Sequence, residues 1–254
     1  MEKKIVTLRR LQLGSGRPKI AVPLTGATDD DLLDQAQAAL EQQPDILEWR
    51  LDFYSALQKA EQLAANGHKL RQLLGDIPLI VTLRSGPEGG KVELGDLSYQ
   101  NIYHDLLKND FADAIDLELF RSPTIIQELI QRAHQHDLIV ILSSHDFQGT
   151  PDQQQLEQRM QTMAQMQADI VKIAVTPHNS TEVLTLLNAT NNMHQILKLP
   201  LITMAMGDLG KVSRISGEVF GSCLTFAAVQ TVSAPGQMSL SRLKNDLADL
   251  ALTS

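Results

Sequence analysis

Cysteine is almost absent from this chain: 254 residues contain one, Cys223. That excludes an intrachain disulfide and suits a reducing compartment, so a cytoplasmic location is expected. No apolar stretch reaches the length of a membrane span. Residues 1–10 mix charges with single apolar side chains and lack the apolar core of a secretory leader, so none is expected. Basic excess is lacking too. The 22 Lys and Arg stand against 30 Asp and Glu, a net charge of −8, which argues against nucleic acid or an anionic membrane as partner. A local basic pocket for a small anion remains compatible with that balance. There is no HExxH, P-loop or GxGxxG, and no His/Cys/Asp spacing of the kind that holds zinc. The glycine-rich Ser85-Gly86-Pro87-Glu88-Gly89-Gly90 does not match a phosphate loop. Neither a low-complexity tract nor a linker divides the chain, and the Gln-rich stretch 153–167 keeps the apolar spacing of a helix with a polar face.

What is present is a rhythm. Residues 5–13 alternate apolar and polar and end at Gly14-Ser15-Gly16, which predicts a strand, half of a hairpin capping one end of the fold. Strands are then expected at 19–24, 45–52, 79–84, 114–120, 138–143, 169–175, 201–206 and 223–229. Helical spacing lies between and after them, at 29–42, 56–74, 97–109, 123–136, 151–167, 181–197, 213–219 and 239–252. Pro123 suits a first helical position, and Asn179 or Ser180 an N-cap. Eight apolar strands alternating with eight helical segments predict an α/β fold, a (β/α)8 TIM barrel in one domain over 1–254. A doubly wound sheet shares the alternation, and the count of eight decides between them.

The sixth of these strands, Asp169-Ile170-Val171-Lys172-Ile173-Ala174-Val175, carries a lysine in an apolar run. Alternation puts Ile170, Lys172 and Ala174 on one face and Val171, Ile173 and Val175 on the other. Two readings follow from the run alone. The stem of Lys172 snorkels to water, or the amine sits in a dry site and is a nucleophile of the kind that forms a Schiff base with a carbonyl.

Chemistry in a (β/α)8 barrel gathers at the C-terminal ends of the strands, and the unusual residues of this chain fall there. Glu48, Arg50 and Asp52 share a face at the end of the second strand, Asp52 reading best as a buried ion-pair partner. Arg84 ends the third strand, with Glu88 in the loop after it. His145 lies just past the apolar part of the fifth. Arg214 follows the seventh, and Ser233 and Gln237 follow the eighth. Singly, each reads as a surface charge, a cap neighbour or a turn residue. Jointly they supply an amine, a proton carrier and guanidinium forks for a carboxylate or hydroxyls. His134 and His136 fall at the opposite end and are expected to be solvated. His178 reads as a loop residue, and His68, His104 and His194 lie on helices. Met204 and Met206 read as packing, Met206 with access to the pocket.

From about Pro18 onward the chain resembles the type I 3-dehydroquinate dehydratases. The resemblance rests on Asp45-Ile46-Leu47-Glu48-Trp49-Arg50, Ile115-Asp116-Leu117-Glu118-Leu119-Phe120, Ser144-His145-Asp146-Phe147, the lysine strand, Gly217-Glu218-Val219-Phe220-Gly221-Ser222 and Ser233-Ala234-Pro235-Gly236-Gln237, in that order. It implies dehydration of 3-dehydroquinate to 3-dehydroshikimate, the third step of the shikimate pathway, with neither metal nor organic cofactor. By the same resemblance Lys172 forms the Schiff base, His145 is general acid and base, and Glu88 orients His145. Glu48, Trp49, Arg50, Arg84, Arg214, Ser233 and Gln237 bind substrate, with the carboxylate on Arg214, Ser233 and Gln237, and the Gln237 loop closes over it. A homodimer is also implied. Pro23 departs from the pattern where family members often carry serine; it offers neither hydroxyl nor backbone N–H, and Thr25 is the nearby substitute.

Two competing readings remain in view. A Schiff-base aldolase or transaldolase would keep Lys172 but needs a phosphate-binding nest after strands seven and eight, where Arg214 and the 233–237 loop suit a carboxylate. A non-catalytic barrel would have lost Lys172 or His145, and both are present.

Overall fold

The structure, a computed structural model, describes residues 5–229 and 233–252; the expectation drawn from residues 1–10 falls in part outside them. It opens with a hairpin, β1 (Val6–Leu8) paired antiparallel with β2 (Leu11–Leu13). The stretch 5–13 therefore holds both arms, because Arg9 turns the chain with a positive φ of 54°. Parallel strands follow, separated by helices: β3 (Lys19–Leu24), α1 (Asp29–Glu41), β4 (Ile46–Arg50), α2 (Ala60–Leu74), β5 (Leu79–Thr82), α3 (Asp96–Leu107), β6 (Ala114–Glu118) and α4 (Pro123–Gln135). The second half runs β7 (Ile139–Asp146), α5 (Gln153–Gln165), β8 (Ile170–Val175), α6 (Ser180–Ile196), β9 (Leu201–Ala205), α7 (Lys211–Ile215), α8 (Gly217–Phe220), β10 (Leu224–Ala228), β11 (Met238–Ser239) and α9 (Leu240–Asp249).

Strands β3 to β9 pair in sequence order and β10 pairs with β3, so the sheet curls round on itself as the rhythm of the sequence predicts. The last seam, between β9 and β10, closes with few ladder bonds. Cys223 N donates to Leu201 O, and the Ser222 hydroxyl accepts from Thr203 N at 3.0 Å in place of a backbone carbonyl. The two-residue β11, parallel to the end of β10, adds a ninth strand that the sequence did not suggest. The expected helix at 213–219 is two short helices, α7 and α8.

Helix starts follow side-chain chemistry: Thr28, Asp152, Asn179 and Ser239 each accept a backbone N–H of the first turn, and Pro123 opens α4. Apolar helix faces pack on the outer residues of the strands, such as Leu47, Val81, Leu117 and Val171. A second core fills the barrel. Its floor is Ile46, Ile80, Ala114, Ile141, Ile170 and Ile202, plugged from below by Val6, Leu8 and Leu13 of the hairpin. Above that floor the inward positions change character. Two residues further along the strands stand Glu48, Thr82, Asp116, Ser143, Lys172, Met204 and Phe226, and beyond them Arg50, Arg84, Glu118 and His145. The apolar floor seals one end, and a charged layer faces the other.

Candidate active site

Alternation in β8 aims Lys172 into the barrel, with Ile170 below and Ala174 above, as its sequence predicts. The side chain is buried, so it does not snorkel. Nor is it unpartnered. Nζ donates to Asp116 Oδ2 at 2.7 Å and lies 4.0 Å from Glu48 Oε1 and 4.8 Å from the centre of the Phe226 ring. Asp116 also accepts from Arg84 Nη2 at 2.7 Å and Ser143 Oγ at 2.5 Å. Burial alone would raise the Asp116 carboxyl; the Arg84 and Lys172 cations overcome it and hold the group well below the usual carboxylate range.

His145 lies inside β7, not beyond it, and pairs in register with Ala174. It is therefore the upper diagonal neighbour of Lys172 on the adjacent strand. Nδ1 is 3.0 Å from Glu88 Oε2. Burial and the nearby Arg84 and Lys172 cations push the imidazole well below its ordinary value, which favours the uncharged form that can accept a proton. Glu88 sits on a short helical turn closed by Gly89, whose φ of 81° requires glycine and where a methyl group would also overlap the Phe147 ring. Burial pushes the Glu88 carboxyl up to about 8 against the pull of Arg84, whose Nη1 is 3.2 Å away.

A narrow cleft opens above these groups. Lys172, His145, Glu88, Glu48, Arg50, Arg84, Arg214, Ser233 and Gln237 all line it, along with Thr82, Met204, Met206 and Phe226. The arginines differ. Arg84 is committed to Glu88, Asp116, Ser143 and Glu118, and so acts mainly as an internal tie. Arg50 makes a bidentate pair with Asp52 and stacks on Phe53, which accounts for Asp52 as a structural acid. Arg214 has no acid beside it among the described residues. Its Nη2 donates to Pro235 O at 3.0 Å, and burial lowers its guanidinium to about 10. A buried, uncompensated guanidinium is costly on its own and favours an anion from solution. Ser233 and Gln237 bond to each other across the mouth, Gln237 Nε2 to Ser233 Oγ at 3.0 Å.

Trp49 does not belong with this set. Strand alternation points it outward between Glu48 and Arg50, and it is fully buried against Tyr54 and Phe111 in the helix layer. A contiguous Glu-Trp-Arg motif in a strand cannot present all three side chains to one pocket. Neither Pro23 nor Thr25 lines the cleft; Pro23 is buried in β3 and Thr25 N donates to the Gln35 side chain. His134 is exposed, as expected, and its ring also donates to Asp169 Oδ2 at 2.9 Å, while the His178 ring donates to Gln148 O. The main residue missed by sequence reasoning is Asp116. Its signal was present in Ile115-Asp116-Leu117-Glu118, two acids on one face of an otherwise apolar strand. Glu118 has a different task, accepting from Ser85 N and Arg121 Nε and so fixing the start of the loop that carries Glu88.

The chain is similar to known proteins over nearly its whole length. The family model described as type I 3-dehydroquinase matches residues 20–252. A 3-dehydroquinate dehydratase from Lactiplantibacillus plantarum is 47% identical, over 97% of this chain and 98% of that one. Among solved structures, the type I 3-dehydroquinate dehydratase of Clostridium difficile with covalent modified comenic acid superposes with a TM-score of 0.95 at 39% identity, covering 98% of both chains. The 3-dehydroquinate dehydratase of Geobacillus kaustophilus gives a TM-score of 0.95 at 35% identity, covering 97% of this chain and 96% of that one.

Proposed function

The chain belongs to the type I 3-dehydroquinase family, and on that premise we propose that it is a hydro-lyase converting 3-dehydroquinate to 3-dehydroshikimate through a Schiff base on Lys172. The observation that carries this reading is one cleft holding three things: a buried lysine, a histidine on the adjacent strand, and a guanidinium with no acid beside it among the described residues. Lys172 passes one ammonium proton to His145, its freed amine adds to the ring carbonyl, and that proton returns to the carbonyl oxygen, which leaves as water and gives an iminium. That cation withdraws electrons from the neighbouring C–H bond, whose proton passes to His145 and whose electron pair moves toward nitrogen. The enamine then expels the hydroxyl, which takes the proton from His145 and departs as water. A second water hydrolyses the iminium and frees Lys172.

The substrate carboxylate pairs with Arg214, assisted by Ser233 and Gln237, while Glu48, Arg50 and Arg84 face its hydroxyls and ring. Glu88 holds the His145 ring by its Nδ1 side, leaving Nε2 for the substrate. Closure of the 233–237 loop over the cleft would exclude water during these steps. The covalently modified compound in the Clostridium difficile relative supports covalent chemistry in this family. On the same reading the protein works as one catalytic domain, a cytoplasmic homodimer in the third step of the shikimate pathway, with 3-dehydroquinate as its partner and without nucleic acid, membrane or metal. Incubating the purified protein with 3-dehydroquinate and following the ultraviolet absorbance of the conjugated product tests the activity; no product at any protein concentration contradicts it.

A further inference from the structure

Asp116 is buried completely, and it is saturated with donors. One oxygen receives Arg84 and Ser143, the other receives Lys172 Nζ, and Tyr103 donates to its backbone carbonyl at 2.5 Å. These partners come from the segment just after β5 and from β7, β8 and α3, and leave the carboxylate little freedom to turn. Lys172 Nζ therefore sits at the end of a rigid support.

The charge at that nitrogen matters in the reaction. An ammonium and a carbonyl together yield a protonated imine and one water, so nitrogen carries a single positive charge before and after condensation. The protonated imine keeps one N–H, which can donate to Asp116 Oδ2 as Nζ does in the resting protein. Only that protonated form accepts electrons well enough to acidify the neighbouring carbon, and an unprotonated imine is a poor sink. A carboxylate within hydrogen-bond distance favours the charged form of its partner.

We propose that Asp116 is a positioning residue that holds the Lys172 nitrogen in the cleft and keeps the imine formed there protonated. This rests on Lys172 being the imine-forming residue. Asp116 does not touch the reacting carbon atoms and acts only through that nitrogen.

The test starts with the native protein. Borohydride reduction in the presence of 3-dehydroquinate, with peptide mass spectrometry, establishes whether Lys172 is the modified residue. Asp116→Asn is then compared with it across pH. The expected result is an alkaline limb of kcat displaced to lower pH by about one to three units, with KM changed much less than kcat and Asp116→Glu restoring the native limb. Because Asp116→Asn leaves Arg84 short of a partner and folding is at risk, a second measurement uses the unsubstituted chain. With lysine labelled at the side-chain nitrogen, nitrogen-15 resonance of the Lys172 adduct is expected to report a protonated imine throughout the neutral range. A native adduct on Lys172 combined with an unshifted Asp116→Asn limb, or with an unprotonated imine at neutral pH, overturns this proposal alone. A native protein that gives no adduct overturns the Schiff-base reading and this proposal with it.

Discussion

His145 Nδ1 lies 3.0 Å from Glu88 Oε2, and burial drives both members of the pair toward their uncharged forms. An imidazolium beside a carboxylate and an imidazole beside a carboxylic acid differ only in where one proton sits. For Nε2 to take the substrate proton, the imidazole must carry its own proton on Nδ1, where Glu88 Oε2 is placed to accept it.

The pair has a stability signature in Glu88. Its carboxyl is raised from 4.5 to about 8 in the folded protein, so the folded state holds a proton that the unfolded chain has released. The contribution is fully favourable below about pH 4.5 and is lost as pH rises through about 8. Glu88→Gln cannot titrate and lacks this dependence. Urea unfolding of both proteins should therefore show the variant gaining stability relative to the native chain across that window, with a constant difference on either side. Parallel stability curves throughout would contradict the assignment.

Trp49 separates packing from catalysis. It is fully buried between the sheet and the helices, in edge-to-face contact with Tyr54. Trp49→Ala should cost about 3–5 kcal/mol in unfolding free energy, whereas Trp49→Phe should keep a near-native KM. A large rise in KM for the phenylalanine variant, with stability retained, would return Trp49 to the substrate-binding set.

The Trp49 case marks what could be read from the chain and what could not. Apolar runs and turn residues located the eight barrel strands, because parallel strands covered on both faces need continuous apolar sequence. Lys172 stood out inside such a run and His145 just past one, whereas the role of Glu88, in a loop, came only from the family resemblance. Trp49 was misplaced because a motif was taken as a block, although its middle residue must face away from its neighbours. Asp116 was passed over because its importance lies in partners from other elements: Lys172 is 56 residues away, and Arg84 is 32. His145 was set outside its strand because β7 extends through polar residues that local composition does not favour. The two-residue β11 has too little sequence to carry a periodicity.

Arg214 carries a trade between stability and function. Its guanidinium is buried without an acid beside it among the described residues. Arg214→Gln should raise KM for a carboxylate-bearing substrate by about tenfold to a hundredfold, the range expected for losing a charge-assisted hydrogen bond. The same variant should be at least as stable as the native chain, since it removes an uncompensated charge. Steady-state kinetics beside thermal unfolding checks both, and an unchanged KM would remove Arg214 from carboxylate binding.

Ser222 tests the barrel seam. Its hydroxyl accepts Thr203 N in the buried gap between β9 and β10. Ser222→Ala strands that N–H and should lower stability by about 1–3 kcal/mol. The loss should be accompanied by faster amide hydrogen exchange at Thr203; native exchange there would mean that another group closes the seam.

The central claim is that Lys172 is the nucleophile, and chemical trapping addresses it most directly. Borohydride added with 3-dehydroquinate should leave one stable adduct, located on Lys172 by peptide mass spectrometry and absent when borohydride or substrate is omitted. An adduct on another lysine, or turnover that proceeds with no adduct at all, would contradict the account.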